Sequence, residues 1–336
     1  MTGRSTVTPE QLDAPTARPF RRLPLPALPG LKRAQDYAIV VIFLLLFIAL
    51  SLWTSAFLTK TNLVNVLDQN AAMGALALGE TFAIISGNFD LSVGSVYSLA
   101  GIVGIMLVPV LGPVSACVIA VLCGTVLGIM NGGLVVLGRV HSFIATLATQ
   151  YIIYGLALVV TGGVIVLDTN PGFLVVGQGR GGGVEWAVWI MLGLAIAAGL
   201  LLARSVFGRY VYAVGGNREA ARLSGVRIGF VVVAAFAISG TTAAIGGILA
   251  ASLVGTAQAG TGTGLVLPAI ASVIIGGTSI FGGEGAIWRT VLGVLLFAMI
   301  GNGFALLSLN ATYQEIVEGA LIIIAVVADA WARSGT

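Results

Sequence analysis

The chain has 336 residues, 58% of them apolar and 9% charged, with a mean hydropathy of +1.06, whereas soluble domains carry about 25% charged residues. That composition excludes a soluble domain and reads as an all-α integral membrane protein, long enough for roughly ten spans of ~20 residues. A net charge of +3 implies no nucleic-acid partner, and one histidine with two cysteines six residues apart in an apolar segment builds neither a metal site nor a disulfide framework.

Residues 1–35 hold six of the ten prolines and six of the sixteen basic residues, without an apolar run long enough for a signal-peptide core. They read as a disordered cytoplasmic tail ahead of a transmembrane domain over 36–333. Tyr37–Trp53 is the first span. The polar, amphipathic Thr59–Asn70 leads into a second at Ala71–Ser86, and Gly87-Asn88-Phe89-Asp90 breaks the apolar run. Asp90 is placed to cap the third span, Leu91–Leu111, because a carboxylate accepts the free N–H groups at a helix start. Gly112-Pro113 turns the chain into the fourth span, Val114–Leu137. There Gly124, Gly128 and Gly132 share one helix face and predict close backbone packing. Ser142–Thr161 is the fifth span, the Gly-rich Gly162–Gly183 an extracytoplasmic loop, and Trp186–Ala203 the sixth span.

A charged island follows. Arg204–Arg227 carries five arginines and one glutamate, between apolar segments with no Lys, Arg or Asp. It cannot lie in hydrocarbon. Ser205–Gly216 mixes small, aromatic and basic residues, and Asn217–Gly225 reads as a short helix with Asn217 as N-cap, Glu219 in the first turn, Arg222 near the other end and Gly225 at the exit. This helix is either offered to a soluble partner or is a solvated connector. Ile228–Leu253 is the seventh span and Gly255–Gly264 an outer turn or broken helix end. Pro268 opens the eighth span, Leu267–Ile280, where its missing N–H costs little. A tight turn follows within Gly276–Gly285, then the ninth span, Ile287–Leu307, and the tenth, Ile316–Val327 with its polar lead-in.

With the N-terminus inside, fourteen basic residues lie inside and two, Lys60 and Arg180, outside. That bias satisfies the orientation rule and places both termini in the cytoplasm.

No G-x-x-x-x-G-K-[ST] is present, so the chain does not hydrolyse ATP by that route. Glu80 is the one carboxylate well inside an apolar span, costly there unless paired, protonated or facing a wet cavity; it marks a solute or proton path, or a hydrogen-bonded packing residue. Asn131, Thr146, Thr149, Gln150, Asn302 and Asn310 lie within or at the ends of spans. They read as interhelical glue or, collectively, as a path for a polar uncharged solute. The turns at Gly87–Asp90 and Gly276–Gly285 fall on the same side as the island, as plain hairpins or as the floor on which a partner pushes.

Several motifs occur in one order: Leu76-Ala-Leu-Gly-x-Thr81-Phe82, Gly87-Asn-Phe-Asp90-Leu-Ser92-Val-Gly94, Asn131-Gly132, Ser142-Phe-Ile-Ala-Thr-Leu147, Gly215-Gly-Asn-x-x-Ala-Ala-Arg-Leu-Ser-Gly225 and Gly276-Gly277-Thr-Ser-Ile-Phe-Gly282-Gly283. From about Asn62 to Trp331 the chain resembles the permease subunits of bacterial ABC importers for ribose, xylose and related simple sugars. The resemblance implies the ABC importer permease fold in the bacterial inner membrane, paired with a second copy or a paralogue. It implies a separate ATPase with two nucleotide-binding cassettes, where ATP and Mg2+ would bind, and an extracytoplasmic sugar-binding protein; the chain itself would hold no cofactor. Asn217, Arg218, Glu219, Ala220, Ala221, Arg222, Ser224 and Gly225, in the loop 204–228, match the coupling helix that seats on the ATPase. Asn88-Phe89 stands where the motif usually has Gly-Ile, and the position of Glu80 is more often uncharged. The competing readings are a proton-coupled secondary carrier using Glu80 and a scaffold that moves no solute.

Overall fold

The computed structural model describes residues 29–334. Residues 1–28, most of the expected tail, lie outside the described residues, and the first helix, α1, begins at Pro29 and runs to Trp53, so it takes in the end of that stretch. Helix α2 spans Lys60–Ile85. The expected separate lead-in Thr59–Asn70 is therefore the start of this helix. Thr59 caps it by accepting the Asn62 N–H, and the polar side chains of its first turns find partners: Asn62 bonds to Phe57 O and Asn302, and Asn70 to Val66 O. A polar helix face with partners stays helical.

Helices α3 (Val93–Leu111), α4 (Pro113–Gly138) and α5 (Ser142–Thr161) follow in close succession. The expected loop over Gly162–Gly183 instead carries a strand, β1 (Val166–Leu167), a short helix, α6 (Pro171–Gln178), and a second strand, β2 (Arg180–Gly181), which pairs with β3 (Val184–Glu185). The α6 start was legible: Asn170 accepts the Gly172 N–H and Pro171 sits at the first position. Its place was not, because Ser252 holds it by accepting the Gly177 N–H at 2.6 Å.

Helix α7 (Trp186–Arg204) leads into the island, which is two helices, α8 (Val206–Gly216) and α9 (Arg218–Leu223). Then come α10 (Ile228–Val254), β4 (Thr256–Ala257, paired with β1), a 3-10 turn over Thr263–Leu265, α11 (Val266–Ile275), α12 (Ile287–Leu306) and α13 (Ala311–Ser334). The eighth span is shorter than expected. Gly276 keeps right-handed backbone, and Gly277 at φ 84° ends the helix. Pro268 stands at the third helical position, still within the first turn, whose N–H groups have no intrahelical acceptor.

Among the described residues six helices, α3, α4, α5, α7, α10 and α12, are long and apolar enough to cross a membrane. The molecule is an all-α membrane protein built around α10, which packs against α2, α3 and α4. The glycine stripe of α4 does what its spacing predicts: a Cβ on Gly128 would fall on the Phe236 carbonyl oxygen of α10, and one on Gly132 would lie 2.7 Å from Val233 Cα. A separate apolar cluster joins Leu78, Phe82 and Ile85 of α2 to Val211 and Val214 of α8, Ala221 of α9 and Phe236 of α10. It fixes the island against the bundle.

Candidate functional site: a polar floor under the helix bundle

Ser205 starts α8 by accepting the Gly208 N–H. The helix lies close because Gly208 rests on the Leu202 carbonyl, where no side chain fits, and because the Tyr212 hydroxyl donates to Gly285 O at 2.8 Å. Asn217 then caps α9 as its sequence predicts, accepting the Ala220 N–H at 2.9 Å. Ser224 bonds back to Ala220 O, and Gly225, at φ 82°, closes the turn with its N–H on Arg222 O.

Ala221 is the one buried residue of α9. Glu219, Arg222 and Leu223 face outward, Leu223 with 74% of its surface exposed. Arg222 clamps Glu219 through two bonds of 2.6 and 3.0 Å, which holds the Glu219 carboxyl below its ordinary 4.5. Arg218, itself exposed, reaches back toward the bundle, and its Nη2 donates to the buried Asn88 Oδ1 at 3.0 Å.

The two glycine turns that sequence reasoning put on the island's side meet it directly. The Gly283 N–H donates to the Ile85 carbonyl at 2.8 Å. A Cβ on Gly215 would fall on that same carbonyl, and one on Gly283 would lie 2.7 Å from Gly216 Cα. Gly87, Gly282 and Gly283 all have positive φ, so three backbones cross with no side chain between them. Asp329 of α13 adds a clasp, accepting from Ser279 Oγ and Ile280 N at 3.0 Å each. Gly94 lies apart from the floor, in the first turn of α3 against Gly262 O.

Above the floor sits a buried polar knot. Glu80 is fully buried and accepts the Asp90 N–H at 3.1 Å. Asp90 Oδ1 accepts the Ser92 N–H and hydroxyl, and Asn131 Nδ2 donates to Ser92 Oγ at 2.6 Å. Asp90 was expected to cap α3; Ser92 is the N-cap residue, and Asp90 holds Ser92 in place from two residues ahead of it. Thr146 accepts the Leu91 N–H, and Thr149 donates to Thr146 O. The five path candidates therefore divide: Glu80, Asn131, Thr146 and Thr149 surround the α2–α3 break, whereas Asn302 pairs with Asn62 near the far end of α2.

Sequence reasoning missed Asn88, Tyr212, Leu223 and Asp329. The signal for Leu223 was the one large apolar side chain in a short, charged helix. The others act across long sequence separations that leave no local pattern. It also missed the opposite end, where Asp68 of α2 accepts the Glu185 N–H, and Arg180 lies 3.1 Å from Glu185 and 3.6 Å from Asp68.

Residues 62–326, which include α8, α9 and both glycine turns, match the family described as the branched-chain amino acid transport system permease component. The chain belongs to this family. The permease is 36% identical over 298 residues to the ribose import permease protein RbsC of Escherichia coli K12, covering 86% of this chain and 92% of that protein. It is 39% identical over 288 residues to RbsC of Bacillus subtilis 168, covering 85% and 89%, and 37% identical over 281 residues to the D-allose transport system permease protein AlsC of E. coli K12, covering 83% and 86%. As a permease component it is a transport subunit and a multi-pass membrane protein.

Proposed function

We propose that the permease forms the translocation path of an ATP-driven ABC importer for a simple sugar or related polyol in a bacterial inner membrane. The ribose and allose permeases to which it is similar along most of their length support the sugar reading. In this reading α1, α2, α3, α4, α5, α7, α10, α11, α12 and α13 make ten crossings, with both termini and the floor in the cytoplasm; the basic-residue bias supports that orientation. A separate ATPase with two cassettes binds ATP and Mg2+ and seats on α9, an extracytoplasmic binding protein delivers the solute, and a second copy or a paralogue completes the path. Glu80, Asn131, Thr146, Thr149 and Asn302 are the polar groups offered to it.

Coupling rests on one geometric fact. Helix α9 turns Glu219, Arg222 and Leu223 outward while Arg218 bonds to Asn88 in the α2–α3 break and Ala221 packs with α2, α8 and α10; α8, directly before it, meets the end of α2 and the 276–285 turn through the glycine crossing. Force applied to α9 is passed on by backbone, which yields less than side chains do. A proton-coupled carrier using Glu80 finds no support in the relatives.

Energy source decides the reading. Uptake of D-ribose, L-arabinose or D-allose by cells expressing the whole system is expected to survive a protonophore and to disappear when the ATPase is inactivated. Uptake that the protonophore abolishes and the ATPase does not affect would overturn it.

A further inference from the structure

At the end of the bundle away from the floor, α2, α11, α12 and α13 diverge around a cleft of about 360 Å3, within the range of small-molecule sites, ~300–1,000 Å3. Its polar lining is Gln69, Asn70, Asn302, Gln314 and Glu318, with Phe297 among the apolar groups. At 1.5 Å per residue, Asn70 lies roughly 15 Å along α2 from Lys60, and Glu318 roughly 10 Å along α13 from Ala311. Asn302 and Gln314 lie within roughly 6 Å of their helix ends, and the deeper Gln69, Asn70 and Glu318 are costly in a membrane helix bundle unless water or a polar ligand meets them.

The groups are held in place. Asn302 and Asn62 exchange two amide hydrogen bonds of 2.7 and 3.0 Å, which fixes the Asn302 plane and leaves each of its polar atoms one further valence. Gln314 Nε2 donates to Glu318 Oε1 at 2.7 Å, and Gly301, lacking a side chain, lets Gln314 lie against α12. The Asn70 amide donates one hydrogen to Val66 O, which leaves its carbonyl oxygen and its second N–H.

We infer that this cleft is a contact site for a neutral polyhydroxylated solute, a monosaccharide, in the outer half of the permease. Amides both donate and accept, as vicinal hydroxyls require; a carboxylate accepts from hydroxyl pairs; an aromatic ring meets the apolar C–H face of a sugar ring. The chemistry is selective. Among the described residues no Lys or Arg lines the cleft, so the α-carboxylate of an amino acid or sugar acid meets no cation there, and Glu318 repels it. The assignment rests on the sugar-importer reading above and adds to it where the solute touches the chain.

The test uses the full chain in proteoliposomes with Cys117→Ala and Cys123→Ala as background. Gln69→Cys, exposed at the cleft edge, is labelled from outside by a membrane-impermeant maleimide, and Ser115→Cys, exposed in the first turn of α4, is the control. The sugar that the complete system takes up, among D-ribose, L-arabinose and D-allose, is expected to slow labelling at position 69 about tenfold at ten times its dissociation constant. Labelling at position 115 is expected to stay unchanged, as is labelling at position 69 with equal L-leucine or sodium gluconate. Adding Glu318→Ala is expected to cut the protection severalfold.

Uptake without protection at saturating sugar overturns the cleft and leaves the importer reading standing. Protection without ATP-driven uptake supports the cleft and overturns that reading. Equal protection by L-leucine or gluconate overturns the solute class. If none of the three sugars gives either uptake or protection, both fall.

Discussion

The guanidinium of Arg218 and the side-chain amide of Asn88, 130 residues apart, meet at 3.0 Å, and the amide in turn donates to Ser86 Oγ at 2.9 Å. Asn88 is buried at the α2–α3 break, two residues from the Asp90 N–H that Glu80 holds. Arg218 is the first residue of α9. The contact therefore ties the outward-facing helix to the α2–α3 break, two residues of backbone short of the buried carboxyl knot.

Breaking this link should separate ATPase stimulation from transport. Asn88→Ala removes the acceptor, and hydrogen bonds to charged groups are worth about 1.5–3 kcal/mol. Asn88→Ala and Arg218→Ala are each expected to reach the membrane at normal levels and to lower solute transport per ATP hydrolysed severalfold in the reconstituted complex, with Arg218→Lys intermediate. An unchanged ratio in both alanine variants would show the contact to be structural only.

The outward face of α9 should matter for docking rather than for folding. Leu223 is an exposed apolar side chain beside the Glu219–Arg222 pair, and a few side chains buried on docking carry most of an interface's energy. Leu223→Ser is expected to weaken ATPase capture by the solubilised permease at least about tenfold, equivalent to ~1.4 kcal/mol, with no change in the melting temperature of the permease alone. Capture equal to that of the unmodified permease would remove α9 from the interface.

Acid should spare the pair until low pH. The Glu219 carboxyl sits below its ordinary 4.5 because Arg222 bonds to it, and a depressed carboxylate contributes in full above its unfolded value and is lost as pH falls through the folded one. ATPase docking is therefore expected to be flat from pH 7.5 to 5.5. Glu219→Ala with Arg222→Ala should lower transport and ATPase stimulation together at every pH in that range. Full stimulation in the double variant would contradict the assignment of this face.

The glycine crossing should tolerate no side chain. Gly215→Ala would drive a methyl group into the Ile85 carbonyl, and overpacking costs typically 1–3 kcal/mol. A lower melting temperature and loss of coupling are expected together for Gly215→Ala, whereas Gly133→Ala, facing open space, should alter neither.

At the other end, Arg180 balances two buried carboxylates, Asp68 and Glu185. Because Arg180 is half exposed, Arg180→Ala is expected to cost about 1–2 kcal/mol rather than the ~3–5 of a fully buried pair. Adding Asp68→Asn, which keeps the oxygen that accepts the Glu185 N–H, should recover part of that loss of melting temperature.

Much of this architecture is legible in one dimension. The limits of α5 and α12, the glycine face of α4 and the Asn217 cap each follow from a local rule: apolar run length, four-residue spacing, and a side-chain acceptor ahead of free N–H groups. The continuity of α2 escaped because its polar first turns find partners at Phe57, Glu185 and Asn302, two of them far along the chain. Helix α8 escaped because a stretch that mixes small, aromatic and basic residues has no clear period, and its place is set by Leu202, Ile85 and Gly283 pressed against its glycines.

Composition and order alone determined that this is a helical membrane protein with a charged, outward-facing helix after its sixth apolar segment, because hydrophobic run length and capping chemistry act over a few residues. Only the folded chain decided that Arg218 reaches Asn88, that the two glycine turns interlock with Gly215 and Gly216 of α8, and that Asn302 stands apart from the other path candidates. Those facts depend on which helix faces meet, and that is settled by packing and hydrogen bonding among residues more than a hundred positions apart.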